Sequence, residues 1–451
     1  MPERWFAAAV RAAAFTFAFF CGSELASANG RFPAANQLVI DPADAEHLLL
    51  RATYGLLASH DGGESFSWIC EDVLGDVGES DPAVAILRGG QLVVAAGDRL
   101  MLSDAGACAL TDVLDAGSSD FPVDVSLDQA DDAVALAVAR SGDGSGDVHL
   151  LEISGNSTVA RVVGASLGND LFPLTLDGAP SAPERIYVTA LSMAPASVLL
   201  RSDDRGQSWQ RFQIHPYEKL QAYLAAVDPN DADTLYLRVN DDPADHLLVS
   251  SDAGEHFVEV SGLDTKLLGF ALSPDGNELA VGGPGAPLRL ANSAELKFAV
   301  AGAPFAQLSC LKWAAGGLFA CADDRADGFT LGLSPDSGTS FAPLFHAREL
   351  GPLSCDAGTS VGASCPRVWS GVAMQVGAGP AAAQDDGGVS TTPTGTAPPR
   401  RAGSCGIAPQ RSPGSNGLFA ATAVLFALAR ARRRGLRARC VTRLRWRCRP
   451  L

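Results

Sequence analysis

One eight-residue turn recurs along this chain and confines it to an antiparallel fold built from repeats. The clearest copy is Ser202-Asp203-Asp204-Arg205-Gly206-Gln207-Ser208-Trp209, which reads Ser-x-Asp-x-Gly-x-Ser/Thr-aromatic. Close copies begin at Ser59 (with Asp61 and Gly63), Ser250 (with Asp252 and Gly254) and Ser334 (with Asp336 and Gly338). The chemistry is that of a hairpin turn. The Asp accepts from backbone N–H groups, the Gly takes positive φ, the hydroxyl adds a local bond, and the aromatic opens the next strand.

These residues resemble the Asp-box, or BNR, repeat of sialidase-like proteins. The resemblance implies that each box joins the third and fourth strands of a β-propeller blade, as a folding device that leaves function open. The segments around the boxes agree. Leu38-Val39-Ile40, Leu48-Leu49-Leu50 and Leu56-Leu57-Ala58 precede the first box, and Leu224 to Val227, Leu235-Tyr236-Leu237 and Leu247-Leu248-Val249 precede the one at Asp252. Short apolar runs with turn chemistry between them read as four-stranded antiparallel blades. The interval from Asp61 to Asp204 has room for two more units, placed at Asp104 with Gly106 and at Ser154-Gly155-Asn156-Ser157. The interval from Asp252 to Asp336 has room for one, at Asn292. The expectation is all-β: a single seven-bladed propeller over 29–346, then a Cys-containing closing segment over 347–378.

The ends read differently. Arg4 and Arg11, the apolar run Ala12 to Phe20 and Ala26-Ser27-Ala28 read as a signal peptide over 1–28, cleaved after Ala28. Residues 379–404 are a Gly/Pro/Thr linker. Cys405-Gly406, the apolar stretch Leu418 to Leu428 and the cluster Arg430, Arg432, Arg433 and Arg434 resemble the myxobacterial MYXO-CTERM sorting signal, over 405–435. That resemblance implies a short apolar helix, processing near Cys405, and contact with the membrane only through this segment. A basic tail, 436–451, follows. The 451-residue chain carries net charge −17, and eleven arginines without one acid follow Cys405, so the body is more acidic still. This balance excludes nucleic acid as a partner. The expected partners are an extracellular glycan or protein, together with the export and C-terminal processing machinery, and the expected location is the cell surface or the medium.

Few constellations carry chemistry. Gly164-Ala165-Ser166-Leu167-Gly168 matches the nucleophile elbow G-x-S-x-G but lacks the strand–turn–helix setting. Sialidases need three arginines, a Tyr–Glu pair and an acid/base Asp. Arg185-Ile186-Tyr187 lacks the Pro of their N-terminal motif, and the chain has five tyrosines. The seven histidines fall in no metal motif. The reading is therefore of a non-enzymatic binding or scaffold protein without a cofactor. The alternatives are a sialidase-type glycoside hydrolase and a photosystem-assembly-factor-like scaffold.

Cys310 with Cys321, flanking the Gly316-Gly317 turn, and Cys355 with Cys365, bounding a short loop, are the disulfide candidates. Three acidic loops join second and third strands and so share the face away from the boxes. They hold Asp143 and Asp147; Asp241, Asp242 and Asp245; and Asp323, Asp324 and Asp327. Such a rim suits calcium or a cationic partner, or simply keeps an exported protein soluble.

Overall fold

The computed structural model describes residues 33–75, 81–194 and 196–379. The expectations for Ala28, the linker beyond 379, Cys405, the apolar stretch and the basic tail lie outside these residues. Seven antiparallel four-stranded sheets follow one another in sequence, each a meander in which consecutive strands pair. The first is Ala35–Ile40, Leu48–Ala52, Gly55–Ser59 and Ser67–Ile69. The last is Cys310–Ala314, Gly317–Cys321, Leu331–Ser334 and Ala342–Phe345. The first strand of each sheet touches the first strands of its neighbours, and Cys310–Ala314 returns to Ala35–Ile40. The protein is a seven-bladed β-propeller with its innermost strands around a central channel.

The core lies between blades. One apolar cluster joins Val93 and Leu102 of blade two to Val125 and Ala137 of blade three. Another joins Leu136 and Leu150 of blade three to Val188 and Leu200 of blade four. Period-two alternation sends side chains to both faces of each sheet, and both faces meet a neighbouring blade. That is why second and third strands such as Gly55–Ser59 and Leu92–Ala96 are buried at every position.

The four clear boxes share one hydrogen-bond pattern. Ser202 Oγ donates to Asp204 Oδ1 at 2.8 Å and accepts from Gly206 N at 2.7 Å, while Asp204 accepts from Ser208 N and Oγ at 2.8 and 2.7 Å. The boxes at Asp61, Asp252 and Asp336 repeat this, and His256 Nδ1 stands in for the hydroxyl at 2.7 Å from Asp252. Trp209 is half-buried and donates from Nε1 to the Ala165 carbonyl, whereas Phe66 is buried. The worn copies depart from the pattern. In blade two Ala107, not Gly106, takes positive φ (54°), and Asp104 accepts from Ala109 N, five residues on. The expected register of Asp104 and Gly106 is thus corrected to a wider turn. Among the described residues the side chains of Asn156 and Asn292 make only local bonds, accepting from Ser154 Oγ and Ala294 N.

The ring is closed by residues beyond the last blade. Gly351–Pro352 pairs in parallel with Ser67–Trp68 as a fifth strand on blade one. The helix α1, Ser360–Val376, then lies against blade one, with Thr359 as its N-cap and Gly377 (φ 76°) at its C-cap. Its buried stripe is Val361, Cys365, Trp369 and Ala373, at a four-residue spacing. Two disulfides fix it, Cys70–Cys365 and Cys108–Cys355, and Cys310–Cys321 bridges the first hairpin of blade seven. The expected local pairing of Cys355 with Cys365 is therefore wrong. The two sulfurs are drawn instead to blades one and two, because a helix places Cys365 on the stripe facing Cys70. Among the described residues, no helix is long and apolar enough to cross a membrane.

Candidate functional site: the central channel

The innermost strands carry charges where neighbouring positions are apolar. Asp124 lies on Asp120–Asp128 of blade three, Asp177 on Leu171–Gly178 of blade four, and Lys312 on Cys310–Ala314 of blade seven. Asp177 and Lys312 line one cavity although their blades are not neighbours, which puts them across the channel. A cavity of about 370 Å³ opens there, lined by Asp177, Ala226, Phe270, Lys312 and Trp313 and by the turn at Ser273-Pro274. The cavity is thus lined by the innermost strands of four blades and by first-to-second-strand turns, which places it at the channel mouth on the Asp-box face.

The electrostatics follow from this placement. The surrounding protein strips water from the Asp124 carboxyl and pushes it up to about 7, against the pull of the Leu176 and Val125 N–H groups. Asp177 is raised by the same desolvation, opposed by bonds from Ser126 Oγ (3.0 Å) and Gly178 N (2.9 Å), both to Oδ1. Lys312 is lowered by desolvation, which Asp177 opposes. Both carboxylates are half-buried and Lys312 is exposed to the channel, so water still reaches all three and moderates these shifts. Among the described residues, Lys312 has no hydrogen bond and no ion pair within 4 Å. The site thus offers an unpaired ammonium and a carboxylate oxygen, Asp177 Oδ2, beside two aromatic rings. Sequence reading missed this site. The local signal is slight: Asp124 and Ser126 are polar at alternate positions of an inner strand, while Asp128, next in the series, is buried on Arg205.

The residues singled out from sequence are occupied locally. The three acidic loops do join second to third strands, on the face away from the boxes. Asp143 accepts from Ser145 N, Asp147 from Ser166 Oγ, and Asp241 meets His246. Asp242 pairs with Lys266 at 2.8 Å, and buried Asp245 takes Lys266 and Leu267 N. Asp323 accepts from Arg325 N and Ala326 N, Asp324 meets His346, and Asp327 accepts from Ala306 N and Gln307 N. Among the described residues no three such side chains converge on a metal position. Gly164-Ala165-Ser166-Leu167-Gly168 belongs to an outer strand. Gly164 has φ 72°, and a Cβ there would meet the Gly206 carbonyl oxygen at 2.3 Å. The glycine exists to dock the next blade's box, and Ser166 donates to the Asp147 carboxylate, with no histidine bonded to it among the described residues. Arg185 pairs with Asp203 and Asp233 on the box face, a tie between blades.

No known protein family matches the sequence, and no curated protein matches it. Solved structures do resemble it in fold. One is a chain of Kuenenia stuttgartiensis hydrazine synthase, at 12% identity, covering 67% of this chain and 96% of that one, TM-score 0.49. Another is the GH74 enzyme of Niastella koreensis, at 13% identity over 70% and 63% of the two chains, TM-score 0.34. A third is the Cps50 (Swd1) β-propeller domain of Myceliophteria thermophila, at 11% identity over 64% and 93%, TM-score 0.43. Enzymes and non-enzymes stand side by side among them, and at these similarities none carries an argument about function.

Proposed function

We propose that this protein is an exported, non-enzymatic binding or scaffold propeller whose ligand is an extracellular glycan. The observation that carries this reading is the unpaired Lys312 facing Asp177 beside Trp313 and Phe270. A sugar hydroxyl both donates and accepts, so one pair of hydroxyls can bridge a carboxylate and an ammonium that do not touch each other. The rings supply the apolar wall on which a pyranose face rests. Export is supported by the disulfides, which link all six cysteines among the described residues. Retention at the surface rests on the sorting-signal resemblance at Cys405. A glycan array probed with the purified protein tests the reading, and the absence of any glycan ligand would refute it.

A second reading, a glycan-acting hydrolase, is favoured by one observation. Asp124 and Asp177 are neighbouring channel carboxylates that are both raised, and Asp124 stands at about 7, where a general acid is useful. Release of fluorophore from a fluorogenic glycoside panel, lost in Asp124→Asn, would establish it in place of simple binding.

A further inference from the structure

A second cavity, of about 410 Å³, lies where the ring closes, on the face away from the boxes. It is walled by Pro33, Ala34 and Ala35 at the start of the ring, by Ala322 and the acidic loop of blade seven, and by the last turn of α1. Tyr54, 5% exposed, stands in its wall, and its hydroxyl is buried without a hydrogen-bond partner. A buried Tyr hydroxyl normally finds a partner, and an orphan calls for a group that the chain itself does not supply. The cavity is large enough to hold one.

The lining carries both signs of charge. Arg325 and Arg348 are exposed side chains of the wall, and Arg348 reaches only to 3.9 Å of Asp324. Asp323 spends Oδ1 on the Arg325 and Ala326 N–H groups, and no bond is made to its Oδ2 among the described residues. The residues Gln375, Val376 and Gly377 bring the carbonyl end of α1, which favours positive charge, to the same cavity. Asp324, held by His346, and Thr330 also face the cavity, and the remaining walls are Ala, Pro and Val.

We infer that this cavity is a binding site for a small zwitterion, an amino acid or dipeptide. Its ammonium lies between Asp323 and the end of α1, its carboxylate meets the Arg325 and Arg348 guanidiniums, and its backbone oxygen or carboxylate accepts from Tyr54. The side chain rests on the Ala/Pro/Val wall. The site is separate from the channel and stands or falls independently of the glycan reading. Because the ligand touches the start of the ring, the last blade and the closing helix together, its binding holds the closure shut and raises the melting temperature.

Calorimetry and melting curves with the twenty amino acids and the dipeptide Ala-Leu test this on the purified protein. At least one zwitterion should bind and raise Tm, and its N-acetyl and C-amide forms should each bind about tenfold or more weakly, since each loses one charged contact. Tyr54→Phe, which removes only the orphan hydroxyl, should keep or raise the ligand-free Tm while weakening binding about tenfold. Asp323→Asn should weaken the free amine far more than the N-acetyl form. No binding by any probe overturns the inference, and so does binding that Tyr54→Phe and Asp323→Asn leave unchanged.

Discussion

Cutting the bridge between Cys108 and Cys355 is the sharpest test of how the ring is closed. Both cysteines are half-buried, so Cys108→Ala with Cys355→Ala removes little packing. The connectivity sets the magnitude. Cys70–Cys365 spans 295 residues and Cys108–Cys355 spans 247, the second nested inside the first. In the chain-entropy account the first bridge formed constrains the unfolded chain by about 6 kcal/mol. With the outer bridge in place, the inner one closes only the stretches 70–108 and 355–365, a loop of roughly 48 residues worth about 4 kcal/mol. Removing it alone should therefore cost about 4 kcal/mol, which for a domain of roughly 350 residues lowers Tm by about 6 °C. Removing both bridges should cost about 10 kcal/mol, more than twice the single loss, because the last bridge cut is the one that frees the whole ring. Denaturant and thermal melts of the parent and these two variants, read by near-UV CD, measure this. A Tm within 1 °C of the parent for Cys108→Ala/Cys355→Ala, or a double loss no larger than the single one, would refute the reasoning.

Other predictions concern the turns. The bonds from Ser334 and Ser340 hold the Asp336 carboxyl down at about 2, and the N–H and ring of His256 hold Asp252 at about 2 despite its desolvation. Carboxyls depressed by folding stabilise the protein above their unfolded value near 4, and that stability is lost as pH falls through the folded value. Tm should accordingly drop between about pH 4 and 2, and less steeply in Asp336→Asn; a flat Tm across that window contradicts the box geometry. Gly317 has φ 132°, and a Cβ there would lie 2.3 Å from the Ser334 carbonyl oxygen, whereas a Cβ at the adjacent Gly316 meets nothing within 4 Å. Gly317→Ala should cost about 2 kcal/mol or more and Gly316→Ala within about 0.5 kcal/mol of nothing; equal unfolding free energies for the two would be inconsistent with the hairpin seen here.

The repeat was legible because its chemistry is local. Ser202, Asp204, Gly206 and Ser208 satisfy one another within seven residues, so the turn can be read without knowing what surrounds it. From the intervals between such turns the number of blades followed. What escaped depends on contacts far apart in sequence. Helix α1 begins Ser-Val-Gly-Ala-Ser-Cys-Pro, a poor helix former by propensity, and it exists because Cys365 and Trp369 find Cys70 and Trp68 some 300 residues earlier. The partners of Cys355 and Cys365 were hidden for the same reason, whereas Cys310 and Cys321 sit on one hairpin and their pairing was legible. The channel site joins Asp177 to Lys312 across the ring, a juxtaposition no local pattern reports. The carboxylates of the acidic loops are engaged close by: Asp143 and Asp323 accept from N–H groups of their own loops, while Asp242 and Asp324 meet Lys266 and His346.

The central claim, that the channel mouth binds a glycan and does not cleave it, is tested most directly by titrating the best array ligand into the parent protein, Lys312→Met and Asp177→Asn while monitoring the glycan by mass spectrometry. The account predicts an intact glycan, binding to the parent, and a loss of about tenfold or more in affinity for each variant, as each removes a charge-assisted hydrogen bond. Parent-like affinity in both variants, or a glycan cut by the parent, would contradict it.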